Sequence, residues 1–290
     1  MTTTKDLVLY KRPAGYIPRV AAVHDLCGYG TCSLGVAIPV LSAGGCDVCA
    51  VPTSLFSATT YFPHFYVHDT TPILPDYLDA WQQVDVALDA IYSGFLGSAE
   101  EVAIIQRLYD EYPSALRCVD PVMGDAGKKY PTYTDEMCEA TKGLVSGADL
   151  LLPNLTEASI LTGIGYVGQD VSPEYVRRIA DALLEMGART VVLKGIARGD
   201  GLIRNYVIGR DIEGDEVAGE ELPFLLGGTG DLYASGLLAA VMTGRSLHES
   251  VEFAGRFVLH AMRVTPQQPG YKYRGVCFQS ALGDVTDLLR

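Results

Sequence analysis

The stretch "GGTGDLYASGLLAAVMTG", residues 227–244, sets three glycines and a carboxylate, Asp231, ahead of an apolar run with helical spacing. Glycines let successive backbone N–H groups converge, and a helix N-terminus already carries partial positive charge, so the pattern suits an anion. Asp231 cannot hold that anion, because like charges repel. A carboxylate beside a bound anion is instead placed to take a proton. Taken alone, the stretch also fits a plain loop feeding a buried helix.

Two more stretches carry oxygen ligands. "VDPVMGDAG" contains Asp120 and Asp125, and "LPNLTEASI" contains Asn154 and Glu157. Asp, Asn and Glu oxygens from adjacent strands suit Mg²⁺, which prefers oxygen and keeps waters that carboxylates can hold. Helix capping by Asn154, Thr156 and Glu157 is the competing reading. If Mg²⁺ and the N–H groups of Gly228, Thr229 and Gly230 hold nucleotide phosphates, Asp231 stands where a substrate hydroxyl must lose its proton to attack phosphorus. No G-x-x-x-x-G-K-[ST] is present. After the first strand, Gly28 and Gly30 would need Gly35 as their third partner, and that spacing fails for dinucleotide binding.

Such residues need a frame. β-rich runs at 19–25, 46–55, 86–96, 115–123, 148–155 and 189–196 alternate with helix-length patterns. Continuously apolar strands separated by helices predict a doubly wound, mainly parallel sheet covered on both faces. Ligands of such sheets bind outside the carboxyl ends of the strands. That rule collects His24 and Asp25, Thr53 and Ser54, Ser93 to Phe95, Asp120 and Asp125, Asn154 and Glu157, and Lys194 into one candidate site. A strand pair at 201–210 and 216–226, joined by "DIEGD", precedes the glycine loop. Helices are expected at 229–243 and 246–264, then an irregular tail. No linker or repeat interrupts residues 1–290, which read as one domain.

Composition narrows the partners. The chain has 290 residues, 48% of them hydrophobic, enough for a substantial core. A formal charge of -13 argues against a nucleic-acid or anionic-membrane surface, though not against a phosphate-bearing small molecule. No apolar run approaches the roughly 20 residues of a membrane span, and the N-terminus lacks signal-peptide character. Seven scattered cysteines suggest reduced thiols in the cytoplasm. Cys46 and Cys49 lie in a strand-like run and read as structural. His64 and His68 share an i, i+4 spacing, but Pro63 and the aromatic neighbours point to a loop rather than a zinc-binding helix. His248 and His260 read as surface or core histidines, and Tyr77 with Trp81 as a packing pair.

"YSGFLGS", "VDPVMGD", "LPNLTE" and "GGTGDLYASGLLA", in this order and spacing, resemble the ribokinase-like superfamily, specifically the vitamin B6 kinases, over about residues 19 to 265. The resemblance implies a ribokinase-like three-layer αβα sandwich with a mainly parallel central sheet. It also implies a homodimer and an ATP- and Mg²⁺-dependent kinase for the 5′-hydroxymethyl group of pyridoxal, pyridoxamine or pyridoxine, and leaves a monovalent cation open as a further cofactor. By position, Asp231 matches the family's base and Gly228, Thr229 and Gly230 its anion hole. Asp120 and Asp125 match the acids near metal and phosphate, Asn154 and Glu157 the motif that organises Mg²⁺, and Lys194 a nucleotide contact. Phe95 matches an aromatic near the vitamin ring, Thr53 and Ser54 fall on the acceptor side, and Tyr130 lies in a flap whose closure excludes water. One departure stands out: where many pyridoxal kinases have Gln-Ser at the end of the first strand, this chain has His24 and Asp25. Hydroxymethylpyrimidine kinases share the architecture and are the alternative within the class. A noncatalytic nucleotide- or vitamer-binding protein is the alternative outside it.

Overall fold

Alternation along the strands decides how the layers form. In a strand, successive side chains point to opposite faces. Ala21 and Val23 belong to one buried cluster while Val20 and Ala22 belong to another; Ile91 likewise opposes Ala90 and Tyr92. A strand apolar on both faces must be covered on both. The computed structural model, which describes residues 2–290, shows that arrangement.

The strands are β1 (Thr2–Thr3), β2 (Arg19–Cys27), β3 (Asp47–Phe56), β4 (Val67–Asp69), β5 (Ala90–Ser93), β6 (Leu116–Val119), β7 (Gly124–Asp125), β8 (Lys128–Lys129), β9 (Leu150–Leu151), β10 (Thr190–Ala197), β11 (Leu202–Gly209) and β12 (Ile212–Glu220). The main sheet runs β1-β12-β11-β10-β9-β6-β5-β2-β3-β4, with β7 and β8 pairing separately. From β3 to β10 every neighbour is parallel; β4, β11 and β12 add antiparallel pairs at the two ends. One face packs against α2 (Leu74–Gln83), α3 (Ala99–Glu111), α4 (Asp135–Val145), α5 (Leu155–Thr162) and α6 (Pro173–Glu185). The other packs against α1 (Leu34–Ala43), α7 (Thr229–Met242) and α8 (Leu247–Val264). This is the expected three-layer sandwich.

Helix starts follow the sequence signals. Ser98, Thr134 and Ser172 each accept the N3 amide of their helix, and Ser246 forms a capping box with Glu249. α7 differs: Gly228 is its N-cap and no side chain satisfies its first amides, which leaves them available to a ligand.

Several expectations change: the strand expected at 86–96 is only Ala90–Ser93, and His68, expected in a loop, lies in β4. "DIEGD" is not a turn: the reversal is made at Arg210 and Asp211, and β12 starts at Ile212. The strands expected at 115–123 and 148–155 shrink to Leu116–Val119 and Leu150–Leu151, because Pro121 and Pro153 lack the N–H a ladder needs. The tail contains helical turns, among them Tyr271–Arg274 and Leu282–Thr286, and it buries Val276, Phe278 and Val285 in the second core. Among the described residues no helix is long and apolar enough to cross a membrane.

Candidate active site

The glycine loop meets the loop after β2 in a close backbone approach. Gly228 has φ 79°, a left-handed conformation, and a Cβ there would stand 2.3 Å from the Thr31 carbonyl oxygen. Only glycine allows that approach. Asp231 follows in the first turn of α7, where its Oδ2 accepts the Ser33 backbone N–H at 2.9 Å. Removal from water pushes the Asp231 carboxyl up to about 7; the Ser33 amide and Lys194 pull it down, while Asp120 and Asp25 add to the rise.

Beneath the loop lies a buried ion pair. Lys194, 9% exposed and within β10 at the irregularity between Leu193 and Ile196, bonds through Nζ to Oδ1 of the fully buried Asp120. The same Nζ is 4.0 Å from the point where a Gly230 Cβ would sit, so the ammonium stands directly under the first turn of α7. Burial works against the charge on both partners, and each opposes that effect for the other. The sequence expected a nucleotide contact at Lys194; the structure places its charge between Asp120 and the glycine loop.

Asn154 and Glu157 complete a capping box at the start of α5, so the capping reading is realised. Asn154 also donates from Nδ2 to the Gly124 carbonyl at 2.9 Å, tying the helix start to the base of the β7–β8 flap. Glu157 is buried, and burial lifts its carboxyl to about 8 against the pull of Lys194. Asp125 is exposed at the flap. These oxygens suit a hard divalent cation, and a buried carboxyl lifted this far gains from positive charge nearby. Among the described residues, no group of three His, Cys, Asp or Glu side chains is arranged to hold a metal. A cation here would therefore rest on phosphate oxygens and water as well as on Asp125 and Glu157. Tyr130 overlooks this region: burial raises its phenol strongly, and the charges of Glu157, Asp125 and Asp231 add to the effect. Lys128 and Lys129 are both exposed, and Lys129 pairs with Asp135 at the start of α4.

On the opposite side stand the residues expected near an acceptor. Asp25 is buried, accepts the Ser33 hydroxyl on Oδ1, and is raised by burial to about 6. His24 is fully buried edge-on against Tyr92 at 4.3 Å, and a Cβ at Gly94 would overlap its ring. Burial drives the imidazole down to about 3, so it is neutral. Of the pair replacing Gln-Ser, Asp25 thus carries the charge. Thr53 donates to the Phe95 carbonyl at 2.9 Å and Ser54 to the Thr53 carbonyl at 2.7 Å, so both hydroxyls are committed to backbone. The half-buried Phe95 ring lies between Phe56 and Tyr133 in edge-on contacts of 6.1 and 6.0 Å.

Sequence reasoning missed Ser33 and the tail. Thr31 N–H donates to the Arg274 carbonyl at 2.7 Å and Val276 N–H to the Gly227 carbonyl at 2.9 Å. Thr59 donates to the Tyr273 carbonyl at 2.8 Å. Residues 273–276 thereby join the loop after β2, the loop after β3 and the glycine loop. The turn-forming "PGYKYRG" was the available signal. Residues outside the site behave as expected: His248 pairs with Asp215, His260 with Asp284, and Tyr77 packs on Trp81 at 5.7 Å.

Comparison with known proteins identifies relatives over most of the chain. Residues 38–276 match the phosphomethylpyrimidine kinase family. A pyridoxine/pyridoxal/pyridoxamine kinase of Bordetella avium is 33% identical over 261 residues, covering 85% of each chain. A Bacteroides thetaiotaomicron protein assigned to the phosphomethylpyrimidine kinases, crystallised with pyridoxal, superimposes with a TM-score of 0.88 at 31% identity over 93% of this chain and 96% of its own. Pyridoxal kinase from Lactobacillus plantarum gives 0.87 at 28% identity, over 94% and 98%. The chain belongs to the phosphomethylpyrimidine kinase family, within the ribokinase-like superfamily that includes the pyridoxal kinases, and is a phosphotransferase with an alcohol group as acceptor.

Proposed function

We propose that this chain transfers the γ-phosphoryl group of ATP to the 5′-hydroxymethyl group of a vitamin B6 vitamer. The observation that carries the reading is Asp231 in the first turn of a helix whose leading amides have no side-chain cap. Nucleotide phosphates lie against the N–H groups of Gly228, Thr229 and Gly230, with Lys194 beneath them. Asp231 takes the proton of the hydroxymethyl group as its oxygen attacks the γ-phosphorus; the bond to the bridging oxygen breaks and ADP leaves. Mg²⁺, supported by Asp125, Glu157 and the Asn154 cap, would neutralise phosphate charge. Asp120 holds Lys194, Phe95 and Asp25 face the acceptor, and Tyr130 on the flap limits water.

The pyridoxal bound to the Bacteroides protein and the B6 acceptors of the Bordetella relative favour a pyridine ring. The family match favours hydroxymethylpyrimidine as the second reading. On this proposal residues 1–290 are one cytoplasmic kinase domain that works as a homodimer. The test is Mg²⁺-dependent phosphate transfer from ATP to pyridoxal, pyridoxamine, pyridoxine and hydroxymethylpyrimidine, side by side, with Asp231→Asn as control. Turnover of a vitamer that disappears in the control is expected. Turnover of the pyrimidine alone would replace the acceptor, and binding without turnover of any compound would defeat the kinase reading. Asp25→Ser should change the ranking of the acceptors; an unchanged ranking removes Asp25 from selectivity.

A further inference from the structure

Ser33 has a backbone that a side chain rarely adopts. Its φ is 51° and its ψ is -128°, and it is one of three non-glycine residues with positive φ among those described. A Cβ is strained in that region, and such strain persists only where surrounding contacts hold it. Ser33 also stands at the N-cap of α1, where a serine hydroxyl ordinarily accepts an amide of the first turn. Here it makes no such bond. The hydroxyl donates instead to Asp25 Oδ1, and the backbone N–H donates to Asp231 Oδ2 at 2.9 Å. All of this happens at a buried residue, 6% exposed.

These observations fit together in one way. The Ser33 amide points at Asp231 only while the chain keeps its positive φ. The bond from the hydroxyl to Asp25 is the side-chain contact that opposes relaxation to an ordinary conformation. One Asp231 oxygen is occupied by the amide, which fixes how the carboxylate presents its other oxygen. We propose that Ser33 is a positioning residue for the transfer reaction: anchored by Asp25, its strained backbone delivers an N–H that orients the carboxylate of Asp231 toward the acceptor hydroxyl. Asp25 therefore contributes to the alignment of the base as well as to the acceptor pocket. The inference rests on Asp231 acting as the base.

Alanine and glycine at this position separate the backbone role from a side-chain role. Ser33→Ala keeps the strain and loses the anchor, so the backbone relaxes and the N–H withdraws from Asp231. Ser33→Gly also loses the anchor, but glycine accepts positive φ without strain and can leave the N–H in place. With the acceptor that the wild-type protein phosphorylates best, Ser33→Ala should lower kcat about tenfold or more, with KM for ATP and acceptor changed less than about threefold. Ser33→Gly should recover most of that loss. Thermal melts without substrate should rank Ser33→Gly above Ser33→Ala, and this arm needs no acceptor, so a wrong choice of acceptor leaves it readable. A glycine variant as slow as the alanine variant, an alanine variant as fast as wild type, or a melt with alanine above glycine would each overturn the proposal.

Discussion

Asp231→Asn should make the ligand-free protein more stable while abolishing turnover. The carboxyl is held near pH 7 against an ordinary 3.8, chiefly by its removal from water, with the charges of Asp120 and Asp25 adding to the shift. A carboxyl raised on folding contributes its full stability below pH 3.8, and that contribution is lost as pH climbs through 7. The difference of about 3 pH units, at about 1.4 kcal/mol each, bounds the loss at about 4 kcal/mol above pH 8. Asp231 is only half-buried, and water reaching it reduces this to on the order of 2 kcal/mol. Asparagine keeps an oxygen for the Ser33 amide and has no charge to bury. Urea unfolding at pH 5, 6, 7 and 8 should therefore show the variant gaining on wild type as pH rises, with turnover at pH 8 reduced by about 10²- to 10⁴-fold. A stability difference that stays flat with pH, or a variant weaker than wild type at pH 8, would refute the electrostatic account even if activity were lost.

Gly228→Ala places a Cβ against the Thr31 carbonyl and forces a left-handed alanine, an expense of about 1–2 kcal/mol before the clash. The variant should fold, yet turn over far more slowly; wild-type kcat would show that the glycine loop and the loop after β2 need not touch. Lys194→Met leaves Asp120 buried without its partner and should lose about 3–5 kcal/mol in urea unfolding. Adding Asp120→Asn should restore most of that stability without restoring turnover; a double variant no more stable than the single one would show that the pair is not the reason. Asn154→Ala removes both the α5 cap and the bond to Gly124, and should lower stability by about 1–2 kcal/mol and raise KM for Mg²⁺-ATP. An unchanged KM would detach the cap from the nucleotide.

Legibility in the sequence followed the range of the interactions. The expected limits 229–243 and 246–264 lie within about a residue of α7 and α8, because glycine, serine and apolar spacing are local signals. Asp120, Asn154, Glu157 and Lys194 were collected from strand ends by one topological rule, and the sheet does bring those ends together. The burial of Lys194 was not legible, since its partner lies 74 residues away in sequence. Thr53 and Ser54 lie in the carboxyl-terminal half of β3, and their hydroxyls are bonded to backbone, a choice that residue type does not disclose. Ser33 was invisible because a positive φ at serine comes from its surroundings and not from its own preference. In the tail, "PGYKYRG" signals a turn, but its bonds to Thr31 and Gly227 are long-range backbone bonds whose partners no side-chain type discloses.

The bonds made by residues 273–276 have a consequence for how the protein comes into being. Every recognisable motif of the site precedes this segment in the chain, so each leaves the ribosome before the residues that join two of its loops. A nascent chain that has reached residue 269 carries the glycine loop, the proposed base and all the acids at the strand ends. It still lacks the Arg274 and Val276 contacts that bring the loop after β2 into register with Gly227. Possession of the motifs and completion of these loop contacts are thus separated in time, by all the codons between the glycine-loop helix and Val276.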